Sequence, residues 1–150
     1  IISSPAKSAF CYYNNEEMTK AKFYKGWLYT GDVGTWDENE FVTVSGRKDD
    51  MIVSAGENIY PTQIEAVLNE HPKVAESAVI GVPDALRGEV VAAYVVASDD
   101  SLTVEELKDY CTHHPMLSSY KWPRVYHIVS ELPHTATGKL MHYKLRQAFD

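Results

Sequence analysis

The chain is poor in the features that mark secreted, membrane-spanning and nucleic-acid-binding proteins. Its two cysteines, Cys11 and Cys111, are too far apart in sequence to indicate a disulfide framework, and they fit a reducing cytoplasm. No apolar run reaches the roughly 18 residues of a membrane span, and no signal segment opens the chain. Lysine and arginine number 14 against 21 acidic residues, for a net charge of -7. Because nucleic-acid phosphates are held by basic surfaces, this balance excludes a nucleic-acid partner and leaves small-molecule anions as the expected charged ligands.

What the chain does contain is enough apolar sequence for a core. Of the 150 residues, 45% are hydrophobic, which suffices for one sizeable core or for one domain and part of another. Repeats and low-complexity segments are absent from the sequence. The chain begins with Ile1 and strand-like residues follow at once, so we expect it to be a piece of a longer protein.

The first third of the chain is predicted to consist of short strands and turns. Residues 7–13 and 27–35 have strand composition, and residues 14–23 predict a short helix or a turn. A hairpin connection over 36–41 leads into an alternating strand that ends at Gly46. Two adjacent acidic residues, 49 and 50, interrupt two apolar strand-like runs and mark the predicted domain boundary.

The remainder of the chain alternates between helical and strand patterns. Ile64, Val67 and Leu68 define the apolar face of the first predicted helix, with Glu65 and Asn69 on the other face. The two long apolar strands that follow are predicted to be buried on both faces. The predicted elements are a helix over 61–71, strands over 74–82, 89–97 and 123–129, a helix from Ser101 or from Thr103 (with Glu106 as its capping box) to about Cys111, and a helix over 140–149.

Asp32 and Arg47 are the candidate polar residues of the first third. Asp32 follows Gly31 at a predicted strand end, where its carboxylate could accept hydrogen bonds from two vicinal hydroxyls, as ribose recognition requires. An aspartate that caps a turn explains the same pattern. The Arg47 guanidinium could donate hydrogen bonds to a phosphate or ribose oxygen, and Asp49 could move with the backbone or pair with Lys48. An ordinary surface turn also accounts for these residues.

Two further loops carry candidate residues. In the predicted loop over 54–61, Gly56 permits close approach of a backbone or a narrow ligand, although a loop that simply precedes a helix also fits. The YKWPR segment, residues 120–124, interleaves aromatic and basic side chains that could stack an adenine and neutralise a phosphate.

The PHTATGK segment places Lys139 after a glycine near the end of the chain. It is not a Walker A loop, because Pro133 stands where that loop needs glycine and Leu140 where it needs serine or threonine. The remaining interpretations are a flexible arm that carries a mobile cation toward a developing phosphate or carboxylate charge, and a solvated lysine after a turn.

No metal centre is expected. Cys111, His113 and His114 do not make one, because adjacent histidine side chains diverge and no fourth ligand lies nearby in sequence. They fit solvated residues at a helix end. No catalytic triad can be assigned from spacing either.

Five motifs in order resemble the adenylate-forming acyl-CoA synthetase superfamily. They are GWLYTGD, GRKDDMIVSAGENIYPTQIE, GVPDALRGEVVAAYVV, YKWPR and LPHTATGK, and together they extend over nearly the whole chain. The resemblance implies that residues 1–48 are the β-rich end of a large N-terminal domain and that residues 49–150 are the C-terminal lid domain. The expected lid is an α+β domain, with a mixed sheet of about three strands and a hinge-proximal β-hairpin packed with three helices.

The resemblance also implies a role for each matching residue. Asp32 is similar to the carboxylate that holds the ribose hydroxyls of ATP or AMP, and Arg47 to the arginine at the ribose and phosphate. Asp49 falls at the hinge about which the lid rotates between half-reactions. Lys139 matches the lysine that bridges the acyl carboxylate and the α-phosphate. The implied contacts with CoA and its pantetheine tunnel are Ala55, Gly56, Glu57, Tyr120 and Trp122.

The implied activity is that of an AMP-forming acid–thiol ligase, in fatty acid metabolism among other settings. Such a ligase forms an acyl-adenylate from a carboxylic acid and ATP, then transfers the acyl group to CoA. The implied cofactors are ATP, CoA and Mg²⁺, the last held mainly by the N-terminal domain. Since the family's phosphate loop and acyl pocket lie upstream, the chain alone is expected to be inactive. The alternatives are an adenylation enzyme that loads a carrier protein and a non-catalytic binding module, while GENIYP, QIE and YKWPR favour the CoA ligase.

Three positions depart from the family pattern. Gln63 stands where glutamate is common, and His142 where an arginine often follows the lysine. Neither change removes a group to which the resemblance gives a catalytic role. Glu40 replaces a frequent hairpin glycine, so Asn39 is predicted to take the positive φ of that turn instead.

Overall fold

The computed structural model describes residues 3–5 and 11–147. Its internal contacts divide the chain into two compact units, Ile1–Asp49 and Asp50–Asp150. The division falls at the two acidic residues that interrupt the apolar runs. What the two units correspond to in a longer protein stays a prediction.

The first unit combines a short helix with two small antiparallel sheets. The helix begins after Asn15, whose side-chain oxygen accepts a hydrogen bond from the Met18 amide at 2.9 Å, as an N-cap does. Strands β1, β3 and β2 form one sheet in that order, and β4 pairs with β5 in the other. The elements are β1 (Ser3–Pro5), α1 (Glu16–Lys22), β2 (Phe23–Tyr24), β3 (Trp27–Tyr29), β4 (Asp32–Trp36) and β5 (Val42–Arg47).

Three details of the first unit differ from the predictions. The strand predicted over 27–35 is broken after β3, because Gly31 takes a φ of +85° and turns the chain. Within the strand predicted over 7–13, residues 7–10 lie outside the described residues, and Tyr12 forms only an isolated bridge to Asn15. In the β4–β5 hairpin Glu40, not Asn39, has the positive φ, of +66°.

The hairpin turn explains why the prediction for Asn39 is wrong. One Asp37 carboxylate oxygen accepts hydrogen bonds from the amides of Asn39 at 2.9 Å and Phe41 at 3.0 Å. The Asp37 side chain thereby organises the turn around the Asn39 amide, and the chain reversal falls on the next residue, Glu40.

The second unit is an α+β domain with a mixed sheet and three helices, as predicted. The central strand, β9, pairs antiparallel with β8 and parallel with β10. A short hairpin, β6–β7, joins the sheet where Ser54 pairs with Gly88. The elements are β6 (Ile52–Ser54), β7 (Glu57–Ile59), α2 (Pro61–Asn69), β8 (Val74–Asp84), β9 (Gly88–Ala97), α3 (Val104–His113), β10 (Val125–Val129) and α4 (His142–Arg146).

The two long strands bury side chains on both faces, which confirms the prediction from their continuous apolar sequence. Alternate residues of β9 enter two different clusters, because successive side chains of a strand point to opposite faces. Val91, Ala93 and Val95 pack with α2 and α3, while Val90, Ala92 and Tyr94 pack with Leu132, Leu140 and Leu145. Leu68 of α2 and Leu107 of α3 are fully buried, and burial of each such side chain contributes about 1.5–3 kcal/mol.

The polar face of α2 contacts β8, although the sequence places it on the face opposite the apolar residues. Glu65 accepts a hydrogen bond from the Val79 amide at 2.8 Å, and Asn69 accepts one from the Ser77 hydroxyl at 2.8 Å. The helix itself ends at Asn69, two residues before the predicted end. Helical periodicity separates polar from apolar positions, but it does not show which polar positions meet a neighbouring strand.

The remaining helices follow the predicted order with altered ends. The Thr103 side chain accepts a hydrogen bond from the Glu106 amide at 3.2 Å and starts α3, as the capping box predicts. The Glu106 carboxylate instead contacts Lys73 at 2.9 Å. The last helix is shorter than predicted, since Leu140 forms an isolated bridge with His134 before α4 begins, and residues 148 and 149 of the predicted helix lie outside the described residues.

Candidate functional site

The β4–β5 register brings Asp32 and Arg47 together. The two residues are paired across the hairpin, and a guanidinium nitrogen of Arg47 lies 3.3 Å from a carboxylate oxygen of Asp32. The Arg47 side chain is 50% exposed and the Asp32 side chain 30% exposed. An exposed ion pair of this kind contributes only about 0–1 kcal/mol to stability, so little free energy is lost if either group turns to a ligand.

Gly31 allows a second cation to approach the same pair. A Cβ atom on Gly31 would lie 3.1 Å from the Lys22 ammonium and 3.2 Å from the Arg47 guanidinium. Two cations therefore flank this turn beside Asp32, an arrangement that suits an anion with adjacent hydroxyl groups. Lys22 could not be recognised from the sequence, because its position on α1 carries no local signal of its proximity to Gly31.

Asp49 lies between two residues that are anchored in different units. The Lys48 amide donates a hydrogen bond to the Gly31 carbonyl at 2.8 Å, within the first unit. The Asp50 carboxylate accepts one from Arg146 at 2.9 Å, within the second unit. All three residues, Lys48–Asp50, form one turn of 3-10 helix.

Ala55 and Gly56 form the turn of the β6–β7 hairpin. Their φ angles are +50° and +86°, which is typical of a type I′ turn. The prediction of a plain loop over 54–61 is therefore wrong in its middle part, where Glu57–Ile59 is strand β7. A Cβ atom on Gly56 would have no heavy atom within 4 Å, so the turn projects from the unit and offers bare backbone at its tip.

The two aromatic residues of the YKWPR segment have different environments. Trp122 packs against the core, and its indole nitrogen donates a hydrogen bond to the Leu117 carbonyl at 3.1 Å. Tyr120 is 44% exposed. The Lys121 ammonium lies 5.6 Å from the Tyr120 ring centre and donates a hydrogen bond to Gln63 at 2.9 Å. Of the two rings, Tyr120 is thus the one that is accessible to a ligand.

Lys139 lies at the end of a hydrogen-bonded turn. The Thr135 amide donates to the Lys139 carbonyl at 2.8 Å, and the Lys139 amide donates to the Thr135 hydroxyl at 3.0 Å. Gly138 takes a φ of +79°, which lets the chain close. The Lys139 side chain is exposed and has no hydrogen bond or ion pair within residues 11–147. The Lys139 side chain therefore extends from a hydrogen-bonded turn.

A histidine lies on each side of this turn, and each contacts a glutamate. His134 is 2.6 Å from Glu76 of β8, and His142 is 2.7 Å from Glu65 of α2. In both cases the hydrogen bond to the glutamate raises the pKa of the histidine against the opposing effect of desolvation. His142 stands out in sequence as a departure from the family pattern, but neither glutamate partner could be recognised there, because both lie far from the histidines along the chain.

The described part of the chain was also compared with the requirements of a reactive thiol, a metal site and a membrane-spanning helix. Cys111 is buried, and burial raises the pKa of its thiol, which makes it a poor ligand or nucleophile. No group of three or more His, Cys, Asp or Glu residues is close enough to hold a metal ion in residues 3–5 and 11–147. None of the helices described here has the length and apolar composition to cross a membrane.

Comparison with known proteins identifies the class of protein. The sequence family described as the AMP-binding enzyme C-terminal domain matches residues 63–139, a range that begins within α2, contains β8, β9, α3 and β10, and ends at Lys139. The chain therefore belongs to the adenylate-forming acyl-CoA synthetase superfamily, of which it is a C-terminal portion.

Several of the similar proteins are CoA ligases. A 2-succinylbenzoate–CoA ligase from Bacillus licheniformis is 47% identical over 134 residues, which cover 89% of this chain and 27% of the ligase. The structure of o-succinylbenzoate CoA synthetase from Bacillus subtilis with its acyl-adenylate intermediate shows 41% identity and a TM-score of 0.83 over 90% of this chain and 27% of that one. An anthranilate CoA ligase with anthranoyl-AMP shows 36% identity and a TM-score of 0.85 over 95% of this chain and 28% of that one. The chain thus spans 27–28% of the length of these relatives.

Proposed function

We propose that the chain is the C-terminal part of an ATP-dependent acyl-CoA ligase. The observation that carries this proposal is the exposed Lys139 side chain on a hydrogen-bonded turn, at the end of the segment that matches the family. The similarity to CoA ligases supports the reaction class, and the paired Asp32 and Arg47 supply the polar groups that a nucleotide needs.

In the first half-reaction a carboxylate oxygen of the acid attacks the α-phosphorus of ATP, and pyrophosphate leaves. Two anions must approach each other, so a cation that bridges them in the transition state lowers the barrier. We assign this role to Lys139, whose side chain can extend from a fixed backbone. Asp32 would accept the ribose hydroxyls and Arg47 would contact the phosphate side of the ribose.

Mg²⁺, when bound to ATP, neutralises phosphate charge. The described residues offer no cluster of carboxylates or imidazoles that would hold it, so they do not fit a magnesium site. We therefore assign the metal to the remainder of the protein and derive no step of this chain from it.

In the second half-reaction the thiol of CoA attacks the acyl carbonyl, and AMP leaves. The thiol needs the space that Lys139 occupies in the first step, so the lid must change position between the steps. Asp49 is the proposed hinge, because its two neighbours are anchored in different units. The Ala55–Gly56 turn with Glu57 is the proposed wall of the pantetheine tunnel, since bare backbone leaves room for a narrow chain, and Tyr120 is the proposed aromatic contact of CoA.

A panel of acids tests the function on the enzyme that contains this chain. Since the three ligases compared above are named for 2-succinylbenzoate or anthranilate, these two compounds are the first acids, with a long-chain fatty acid as a third. CoA-dependent release of AMP with any of them is the expected result. AMP release that needs a carrier protein in place of CoA would favour the carrier-loading enzyme, and no AMP release with any acid would favour a binding module.

The role of Lys139 is tested by separating the half-reactions. Lys139→Ala should lower acid-dependent pyrophosphate release by roughly 10²–10³-fold, the usual effect of removing a group that stabilises transition-state charge. Thioester formation from a supplied acyl-adenylate should change much less. Lys144→Ala, on the exposed side of α4, is the matched control. Equal losses in both half-reactions would remove the role given to Lys139.

A further inference from the structure

The Lys139 turn is held at both ends by histidine–glutamate contacts that the proposed chemistry does not use. His134 precedes the turn and lies 2.6 Å from Glu76, which belongs to β8. His142 follows the turn, at the start of α4, and lies 2.7 Å from Glu65, which belongs to α2. The two contacts therefore attach the base of the turn to two different elements of the folded core.

The geometry of His134 requires a charged ring. Its Nε2 faces a Glu76 carboxylate oxygen, and its Nδ1 faces the Leu132 carbonyl oxygen at 2.8 Å. A carbonyl and an ionised carboxylate only accept hydrogen bonds, so both ring nitrogens must donate. A neutral imidazole has one donor and would lose one of the two contacts.

His142 has an acidic environment from more than one element. The Glu65 oxygen that it contacts also accepts the Val79 amide, so the carboxylate is held in place by β8. Asp50, in the 3-10 helix, also favours the charged ring, whereas Arg146 of α4 opposes it. The side chains of His142 and Glu65 are only 17% and 13% exposed, which limits screening of the contact by water.

We propose that His134 and His142 are positioning residues for Lys139, and that their protonated rings hold the base of the Lys139 turn against β8 and α2 during adenylation. The inference rests on the proposed function of Lys139. A lysine that must bridge two anions needs a fixed origin, because a displacement of about 1 Å can cost a large part of the rate. The lysine thus depends on the protonation of two residues that never touch the substrate.

The sign of the expected pH dependence follows from the direction of the pKa shifts. Both histidines have a pKa raised above the ordinary value of about 6.5 by their glutamate partners. The contacts are therefore complete below that ordinary value and are lost as the pH rises through the raised pKa. An arginine at either position would keep its charge throughout this range.

The kinetic test compares arginine and glutamine variants of the enzyme that contains this chain. His134→Gln and His142→Gln should each lower kcat for acid-dependent pyrophosphate release by about tenfold, with little change in KM for ATP or in thioester formation from a supplied acyl-adenylate. The double arginine variant should retain activity, and its rate should lack the decrease with rising pH that we expect of the wild type. His113→Gln, on the exposed end of α3, is the control.

Two kinetic results would overturn the proposal. One is a decrease with rising pH that is the same in the double arginine variant and in the wild type. The other is an equal loss of both half-reactions in the glutamine variants, because that would indicate a general loss of structure and no specific effect on Lys139.

A structural readout separates this proposal from the proposed function. Amide hydrogen exchange at Thr135 and Lys139, measured in the chain itself, should become faster in the glutamine variants, after correction for intrinsic rates, and stay slow in the arginine variants. Unchanged exchange in the glutamine variants would refute the anchoring whatever the activity. If the wild type forms no acyl-adenylate with any acid, the proposed function fails, while the exchange result still decides whether the histidines hold the turn.

Discussion

Replacement of Glu65 by alanine should lower the free energy of unfolding of the second unit by about 2–4 kcal/mol, because one carboxylate oxygen accepts two hydrogen bonds. The Val79 amide, 2.8 Å from this oxygen, would be left without a partner at a fully buried residue, which costs about 1–3 kcal/mol. Loss of the contact with His142, 2.7 Å away, adds about 1 kcal/mol, less than for a fully desolvated pair since its side chain is 17% exposed.

Urea unfolding followed by far-ultraviolet circular dichroism measures this effect. The midpoint should fall while the slope with urea stays unchanged, since the surface exposed on unfolding is nearly the same. Glu65→Gln keeps an oxygen that can accept the Val79 amide, so we expect it to lose only about 1 kcal/mol. Glu131→Ala is the control, because Glu131 is exposed and surface substitutions usually change stability by less than about 0.5 kcal/mol.

The stability difference between the wild type and Glu65→Gln should depend on pH, and this dependence checks the contribution of His142. Because its glutamate partner raises the pKa of His142, the difference in stability between the wild type and Glu65→Gln should be largest at acidic pH and shrink as the pH rises through that pKa. Equal losses for the alanine and glutamine variants would refute the importance of the Val79 hydrogen bond. A loss for Glu65→Ala no larger than that of the control would refute the whole argument.

Three further predictions concern single residues. Gly56→Val should slow thioester formation from a supplied acyl-adenylate more than adenylation, since it fills the bare turn and strains a φ of +86°; unchanged thioesterification would remove the tunnel role. Gly81→Ala should destabilise by about 1–3 kcal/mol in urea unfolding, because its Cβ would lie 2.7 Å from the Glu89 carboxylate and displace it from the Val53 amide, whose hydrogen bond it accepts at 2.8 Å; an unchanged midpoint would contradict this. In the native chain a thiol reagent should label exposed Cys11 quickly and buried Cys111 only on unfolding, so equal labelling rates would be evidence against the described core.

Local sequence signals predicted most of the second unit. The continuous Val and Ala content of β8 and β9 predicts burial on both faces, and the spacing of Thr103 and Glu106 predicts the start of α3. These signals work because each depends on residues within one element. Sequence motifs likewise identified Asp32, Arg47 and Lys139 as candidate site residues. The contact between Asp32 and Arg47, in contrast, depends on the register of the β4–β5 hairpin.

Contacts between distant segments could not be predicted in the same way. The Glu65–His142 contact joins α2 to α4, and periodicity placed Glu65 on the polar face without indicating a partner. The proximity of Lys22 to Gly31 depends on how α1 lies beside the turn. The last helix starts late because Leu140 bridges to His134 across the Lys139 turn and also packs against the distant cluster of Val90, Ala92 and Tyr94, and helical periodicity indicates neither contact.

The hydrogen bonds from α2 to β8 have a consequence for the behaviour of the protein in concentrated solution. β8 pairs with β9 along one side, and its other side would present amide groups on which a strand from another molecule could add. Glu65 occupies the Val79 amide from within the same chain, Asn69 holds Ser77 beside it, and α4 packs against the strand as well. Glu65, which contacts His142 at the base of the Lys139 turn, therefore also shields the edge of the sheet from intermolecular strand addition, and its replacement should promote self-association as well as unfolding.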